Sequence, residues 1–191
     1  NNGNNTFSEV AYYSGVAKTD WSWAGLLVDL DNDGYRDIYV TNGINHDLTD
    51  LDFVDFFANE IIQNMAMTGK RQAIDSIIDK MPKKPLPNAV YRNKKDLTFE
   101  DAGKKWGLDM PSMSNGSAYG DLDNDGDLDL VVNNVNMQTF IYRNEAAQQN
   151  QNHYLSLTFK GGEQNPFAVG ASVRLYFDDQ ELLHFLSNQM V

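Results

Sequence analysis

A nine-residue acidic pattern occurs twice in this chain and constrains its fold more than any bulk property. Asp29-Leu30-Asp31-Asn32-Asp33-Gly34-Tyr35-Arg36-Asp37 recurs as Asp121-Leu122-Asp123-Asn124-Asp125-Gly126-Asp127-Leu128-Asp129. Carboxylates at loop positions 1, 3, 5 and 9, with glycine at 6, build an all-oxygen cage for a hard cation. Ca²⁺ takes about six to eight oxygens, and the main-chain carbonyl at position 7 can supply one of them. The expected ligands are Asp29, Asp31, Asp33, Asp37 and the Tyr35 carbonyl at one site. At the other they are Asp121, Asp123, Asp125, Asp129 and the carbonyl of Asp127, whose carboxylate is expected to turn away. Without metal, four like charges crowded into each loop would repel one another.

The residues around the loops decide which calcium fold this is. An EF-hand needs a bidentate Glu at position 12 on an outgoing helix; position 12 is Val40 in one copy and Val132 in the other. Ile38-Tyr-Val-Thr41 and Leu130-Val-Val132 are β-branched or aromatic and predict strands. Ala24-Gly-Leu-Leu-Val28 and Ser117-Ala-Tyr-Gly120 before the loops also predict strands. Each loop therefore joins a hairpin, and the EF-hand is excluded.

Sliding the chain on itself by about 92 residues aligns Thr6-Phe7 with Thr98-Phe99, Gly15 with Gly107, Ser22 with Ser114 and Asn42 with Asn134, without a gap as far as Gly43. Val90-Tyr-Arg-Asn93 and Ile141-Tyr-Arg-Asn144 form a second echo after each loop. One unit reads as strand, calcium loop, strand, connection, Tyr-Arg-Asn strand and Thr-Phe strand. Four short strands per repeat suit a propeller blade, which needs neighbours to bury its faces.

At this point the chain resembles a known family. The acidic hairpins look like FG-GAP/VCBS repeats, the calcium-bearing blades also found in integrin α-subunit propellers. Asp20-Trp-Ser-Trp23, Pro111-Ser-Met-Ser-Asn115-Gly and Asp129-Leu-Val-Val-Asn-Asn134 are similar to VCBS-repeat proteins of the cartilage acidic protein type, found as surface proteins of Bacteroidetes-like bacteria. Asn152-His-Tyr-Leu-Ser-Leu157 through Asn165-Pro-Phe-Ala-Val-Gly170-Ala-Ser-Val173 is similar to the ASPIC/UnbV segment that follows such repeats. The resemblance implies an all-β protein with a helical insertion, made of propeller blades followed by a β-rich C-terminal segment.

The organisation expected is blade strands with the first loop at 1–43, an insertion at 44–87, a second blade at 88–147 and the ASPIC/UnbV-like segment at 148–191. A plain repeat runs roughly 45 to 60 residues, so the long offset demands the insertion. Phe53, Phe56, Phe57, Ile61 and Met65 recur at helical spacing, and Gly69 can end that helix. Ile74, Ile77, Ile78 and Met81 form a second stripe stopped by Pro82. Helices are predicted within Thr49–Thr68 and Lys70–Met81, packed on each other and on the blade rim. Two blades cannot close a ring, so the chain is expected to be a fragment of a larger propeller.

Net charge is −12, and the two loops with Asp127 hold nine of the carboxylates. Nucleic-acid binding is disfavoured, because it rests on phosphate neutralisation by Lys and Arg. No apolar run suits membrane insertion, and the absence of cysteine excludes disulfides and thiol chemistry. His46, His153 and His184 lie far apart and read as surface or half-buried residues, with His153 opening a strand. Trp21 and Trp23 share a face, and we expect them to wedge between blades rather than stack on sugars. No catalytic set is evident, since the paired carboxylates are committed to metal.

The function expected is a secreted or cell-surface scaffold, on the outer-membrane or periplasmic side in a Gram-negative bacterium. Its two Ca²⁺ ions would be structural, and its partner an unknown surface protein or glycan. The alternative is part of a polysaccharide-acting enzyme with catalytic residues partly outside this chain.

Overall fold

The computed structural model describes residues 2–47, 49, 51–69, 81, 83–149, 154, 155, 157–177 and 180–185. They fall into two compact units, residues 1–152 and 153–191. In the first unit a four-stranded antiparallel sheet runs in the order β1 (Ser22–Val28), β2 (Asp37–Asn42), β3 (Ala89–Asn93), β4 (Phe99–Asp101). A three-stranded antiparallel sheet follows, β5 (Ser114–Gly120), β6 (Asp129–Asn134), β7 (Phe140–Tyr142). Short helices α1 (Ala11–Ser14) and α3 (Ala146–Gln149) flank these sheets, and α2 (Leu51–Thr68) lies between β2 and β3. The second unit holds a hairpin of β8 (Ser172–Phe177) and β9 (Gln180–Phe185). Among the described residues no helix is long and apolar enough to cross a membrane.

The repeat is visible in the register. Ser22 pairs with Asn42 and Val28 with Asp37; Ser114 pairs with Asn134 and Gly120 with Asp129. Both hairpins slip one step near their open end, between Ser22 and Gly25 and between Ser114 and Gly116. The same acidic loop closes the other end of each. A left-handed pair makes that closure possible: Asn32 and Gly34 have φ of 55° and 86°, and Asn124 and Gly126 have 62° and 89°. Asn tolerates this region and Gly adopts it without steric cost, which explains their places in the pattern.

Strand alternation turns Val28, Tyr39, Val90, Leu130 and Val132 inward, and with Leu30, Ala102 and Leu108 they form one core shared by the two sheets. β5 packs against β1 and β2. At that boundary Gly43 is buried at φ 140°, and a Cβ there would sit 2.9 Å from the Ser114 nitrogen. Beside it runs a buried polar network. Asn88 donates to the Tyr39 hydroxyl at 2.9 Å and Ser114 Oγ at 3.0 Å, and its Oδ1 accepts the Asn42 N–H at 2.9 Å. Ser114 donates onward to Asn134 Oδ1 at 2.7 Å. The echoed Ser and Asn of the repeat thus hold the interior of the second sheet to Asn88, which follows the insertion.

Three sequence expectations meet a different structure. Thr6-Phe7 is not in a strand, although its echo leads into β4; Phe7 is 79% exposed, and a strand needs a paired neighbour to exist. Residues 154, 155 and 157–160 are not in a strand either, and His153 lies outside the described residues. Trp23 does not wedge between blades: it is 58% exposed, anchored by its indole N–H to the Gly43 carbonyl at 2.5 Å. In the insertion, α2 ends at Gly69, whose N–H bonds the Met65 carbonyl at 2.9 Å. Its Phe53 and Phe57 rings touch at 4.2 Å, while Leu51, Phe56, Ile62 and Met67 are exposed. The helix predicted at 70–81 lies outside the described residues except Met81, which is buried.

Candidate metal centres

Each acidic loop is first a folded object held by its own carboxylates. Asp29 accepts the Asp33 N–H at 3.1 Å and the Gly34 N–H at 2.8 Å; Asp121 accepts Asp125 at 3.1 Å and Gly126 at 3.1 Å. Position 9 reaches further. Asp37, 1% exposed, accepts the Leu30 N–H with one oxygen and the Asn93 N–H with the other, both at 2.9 Å. Asp129 repeats this with Leu122 at 2.9 Å and Asn144 at 2.8 Å. The final aspartate therefore closes its own loop and ties it to the asparagine of the Tyr-Arg-Asn segment.

These ties aim carboxylates at common points. One oxygen from each of Asp29, Asp31 and Asp37 lies within 4.8 Å of the other two, and the same holds for Asp121, Asp123 and Asp129. Oxygens spread no wider than this fit around one centre at the roughly 2.3–2.6 Å that Ca²⁺ prefers, and the donors are all hard oxygen. A carboxylate has about four lone-pair sites, so accepting an amide does not stop it from ligating. Burial raises the Asp29 carboxyl above its ordinary value and pushes Asp37 up to about 6. A divalent cation offsets that desolvation. The residues fit the metal.

The position 5 aspartates sit differently. Asp33 accepts the Tyr35 N–H at 3.0 Å and faces Lys95 at 3.2 Å; Asp125 accepts the Asp127 N–H at 3.1 Å, which holds its carboxyl below the usual range. The arginines of the two Tyr-Arg-Asn segments, Arg92 within β3 and Arg143 just after β7, complete the charge. Arg92 Nε contacts Asp31 at 2.6 Å, and Arg143 Nε contacts Asp123 at 2.8 Å. The sequence marked Tyr-Arg-Asn only as a strand; its repetition after each loop was the available signal that it also serves the site.

Asp127 belongs to a third arrangement. It is fully buried and accepts the Ala147 N–H at 2.8 Å, at the start of α3. It also accepts the Asn32 side-chain amide of the other loop at 2.5 Å. Asn144 adds a second link, donating to the Leu30 carbonyl at 2.8 Å. The two loops are thereby fastened to each other.

This arrangement of β3, β4, β5, acidic loop and β6 coincides with one known unit. Residues 83–132 match the FG-GAP-like repeat. The FG-GAP-like repeat covers just over a quarter of the chain and contains the second loop whole. The first loop lies before it and is tied to the pattern by its matching register, turn geometry and carboxylate triad. No curated protein matches the chain.

Proposed function

We propose that the chain is a calcium-stabilised propeller scaffold for binding or adhesion outside the cytoplasm, with a surface protein or glycan as partner. Both ions are structural in this reading, and one observation carries it. Two acidic triads sit in equivalent loops of neighbouring sheets, and Asn32 and Asp127 bind those loops together. Cations placed there would hold two blades in register rather than present a reactive centre. The loop carboxylates are engaged by backbone amides and arginines, so the scaffold is favoured over a polysaccharide-acting enzyme. Placement outside the cytoplasm rests on the abundance of Ca²⁺ there. The kinship with the cartilage acidic protein type, and an ASPIC/UnbV-like character for residues 148–191, rest on the sequence motifs quoted above. Propeller closure follows from the repeat logic, since a blade buries its faces only against neighbours.

The test is an array of bacterial and host surface proteins and glycans probed with the protein in calcium and in chelator. Specific capture that declines only as the melting curve shifts supports a scaffold. Hydrolase or lyase activity abolished by chelation at an unchanged melting temperature overturns it.

A further inference from the structure

We infer that copies of this chain join head to tail, residues 7–10 of one adding a fourth strand to the β5–β6–β7 sheet of the next. The donor is already shaped for that place. Residues 2–16 repeat the local fold of residues 94–108, which hold β4 and the turns on either side of it. The Asn2 N–H bonds the Thr6 carbonyl at 2.9 Å, as the Lys94 N–H bonds that of Thr98 at 3.0 Å. Asn4 Oδ1 accepts the Thr6 N–H at 3.2 Å, as Asp96 Oδ1 accepts that of Thr98 at 2.9 Å. Glu9 accepts the Ala11 N–H as Asp101 accepts that of Gly103. The Ser14 N–H bonds the Val10 carbonyl as the Trp106 N–H bonds that of Ala102. Left-handed residues coincide too, Asn5 with Leu97 at φ 64° and 69°, and Gly15 with Gly107 at 79° and 71°. One thing differs: β4 pairs with β3, and among the described residues no strand pairs with residues 7–9.

The acceptor is the outer edge of β7. Ile141-Tyr-Arg-Asn144 echoes Val90-Tyr-Arg-Asn93 of β3, yet among the described residues β7 pairs only with β6. The β3–β4 ladder sets Tyr91 opposite Asp101, Arg92 opposite Glu100 and Asn93 opposite Phe99, and the Ala102 N–H bonds the Val90 carbonyl at 2.9 Å. The same register between copies sets Tyr142 opposite Glu9, Arg143 opposite Ser8 and Asn144 opposite Phe7, with the Val10 N–H on the Ile141 carbonyl. Residues 2–5 give way there to Glu145, which follows Asn144 as Lys94 follows Asn93. Burial agrees with this pairing: Val90 and Ala102 are each 1% exposed, whereas their counterparts Ile141 and Val10 are 70% and 43% exposed. The sheet faces match as well. Inside one chain Tyr39 and Val90 of the first sheet share a core with Leu130 and Val132 of the second. A step of 92 residues, with Ile141 in the place of Val90, sets Val131 and Ile141 of one copy against Ile38 and Val40 of the next. Backbone hydrogen bonds along an added strand give such a contact its strength, and the side chains fix its register. Donor and acceptor are different surfaces, so the contact is heterologous and can propagate.

The test is sedimentation of the full chain at rising concentration in about 0.15 M salt, which screens repulsion between the acidic chains beyond about 8 Å. The average mass should climb toward twice that of one chain and beyond. Ser8→Pro removes a strand N–H from the donor, and Ile141→Lys puts a charge on the exposed acceptor face. Each variant alone should stay a single copy and keep the parent's melting curve. Mixed in equal amounts, the two should pair and stop at two copies, because one intact donor and one intact edge remain. As a check that disturbs neither surface, Val10→Cys mixed with Ile141→Cys should cross-link on mild oxidation, in a chain that otherwise has no cysteine. A chain that stays single at every concentration overturns the proposal. So does association that survives either variant, a mixture that fails to pair, or a cysteine pair that does not cross-link.

Discussion

Replacing Asp127 separates a structural carboxylate from a surplus surface acid, because the two roles predict opposite signs. Asp127→Ala deprives the Ala147 N–H of its acceptor and leaves the half-buried Asn32 amide to water. An unsatisfied buried donor costs about 1–3 kcal/mol, and the Asn32 bond adds about 1 kcal/mol. Against this, removing one negative charge beside acidic loops relieves on the order of 1 kcal/mol of repulsion. The expected net loss is about 1–3 kcal/mol. At roughly 2–4 °C per kcal/mol for a unit of this size, the melting temperature falls by about 2–12 °C in saturating calcium. Melting curves for Asp127→Ala, Asn32→Ala and the double variant complete a cycle. Its coupling energy should be about 1 kcal/mol, since the two side chains are in direct contact. A rise in melting temperature for Asp127→Ala, or a coupling energy near zero, would refute the link between the loops.

Asn88→Ala should destabilise by about 2–4 kcal/mol in urea titration, because it strands the buried Asn42 N–H and the Tyr39 and Ser114 hydroxyls together; a loss under about 0.5 kcal/mol contradicts the network. Gly43→Ala should lower the melting temperature through backbone strain of about 1–3 kcal/mol plus the clash with the chain before β5, and an unchanged curve contradicts the close approach. Asp37→Asn should destabilise even in excess chelator, because the Leu30 and Asn93 amides need both carboxylate oxygens; a variant matching the parent in chelator would show that Asp37 acts only through metal.

What could be read in advance was local and periodic. Spacing inside the loops gave the hairpins, and the shared offset of Ser22/Ser114 and Asn42/Asn134 placed equivalent residues at equivalent register. The helix at Leu51–Thr68 followed from its apolar spacing. What escaped was long-range. Nothing in the spacing joins Asn88 to Tyr39 or Asn32 to Asp127, residues 49 and 95 positions apart. Thr6-Phe7 and Trp23 depart from the expectation because pattern shows what a segment prefers, not whether a neighbour is there to pair with it or cover it. The acidic pattern itself identified the cage but not the arginines facing it, since a guanidinium two strands away leaves no mark on loop spacing.

The central claim is that both loops hold structural calcium, and calorimetric titration with parallel melting curves tests it most directly. A metal that binds only the folded state stabilises it by about 2.7 kcal/mol per site at a hundredfold excess over its dissociation constant. The account predicts two Ca²⁺ per chain, poor substitution by Mg²⁺, and a clear fall in melting temperature on chelation. Asp31→Ala and Asp123→Ala should each lose one ion and part of that stabilisation. Absence of calcium binding, or two bound ions with no change in the melting curve, would contradict it.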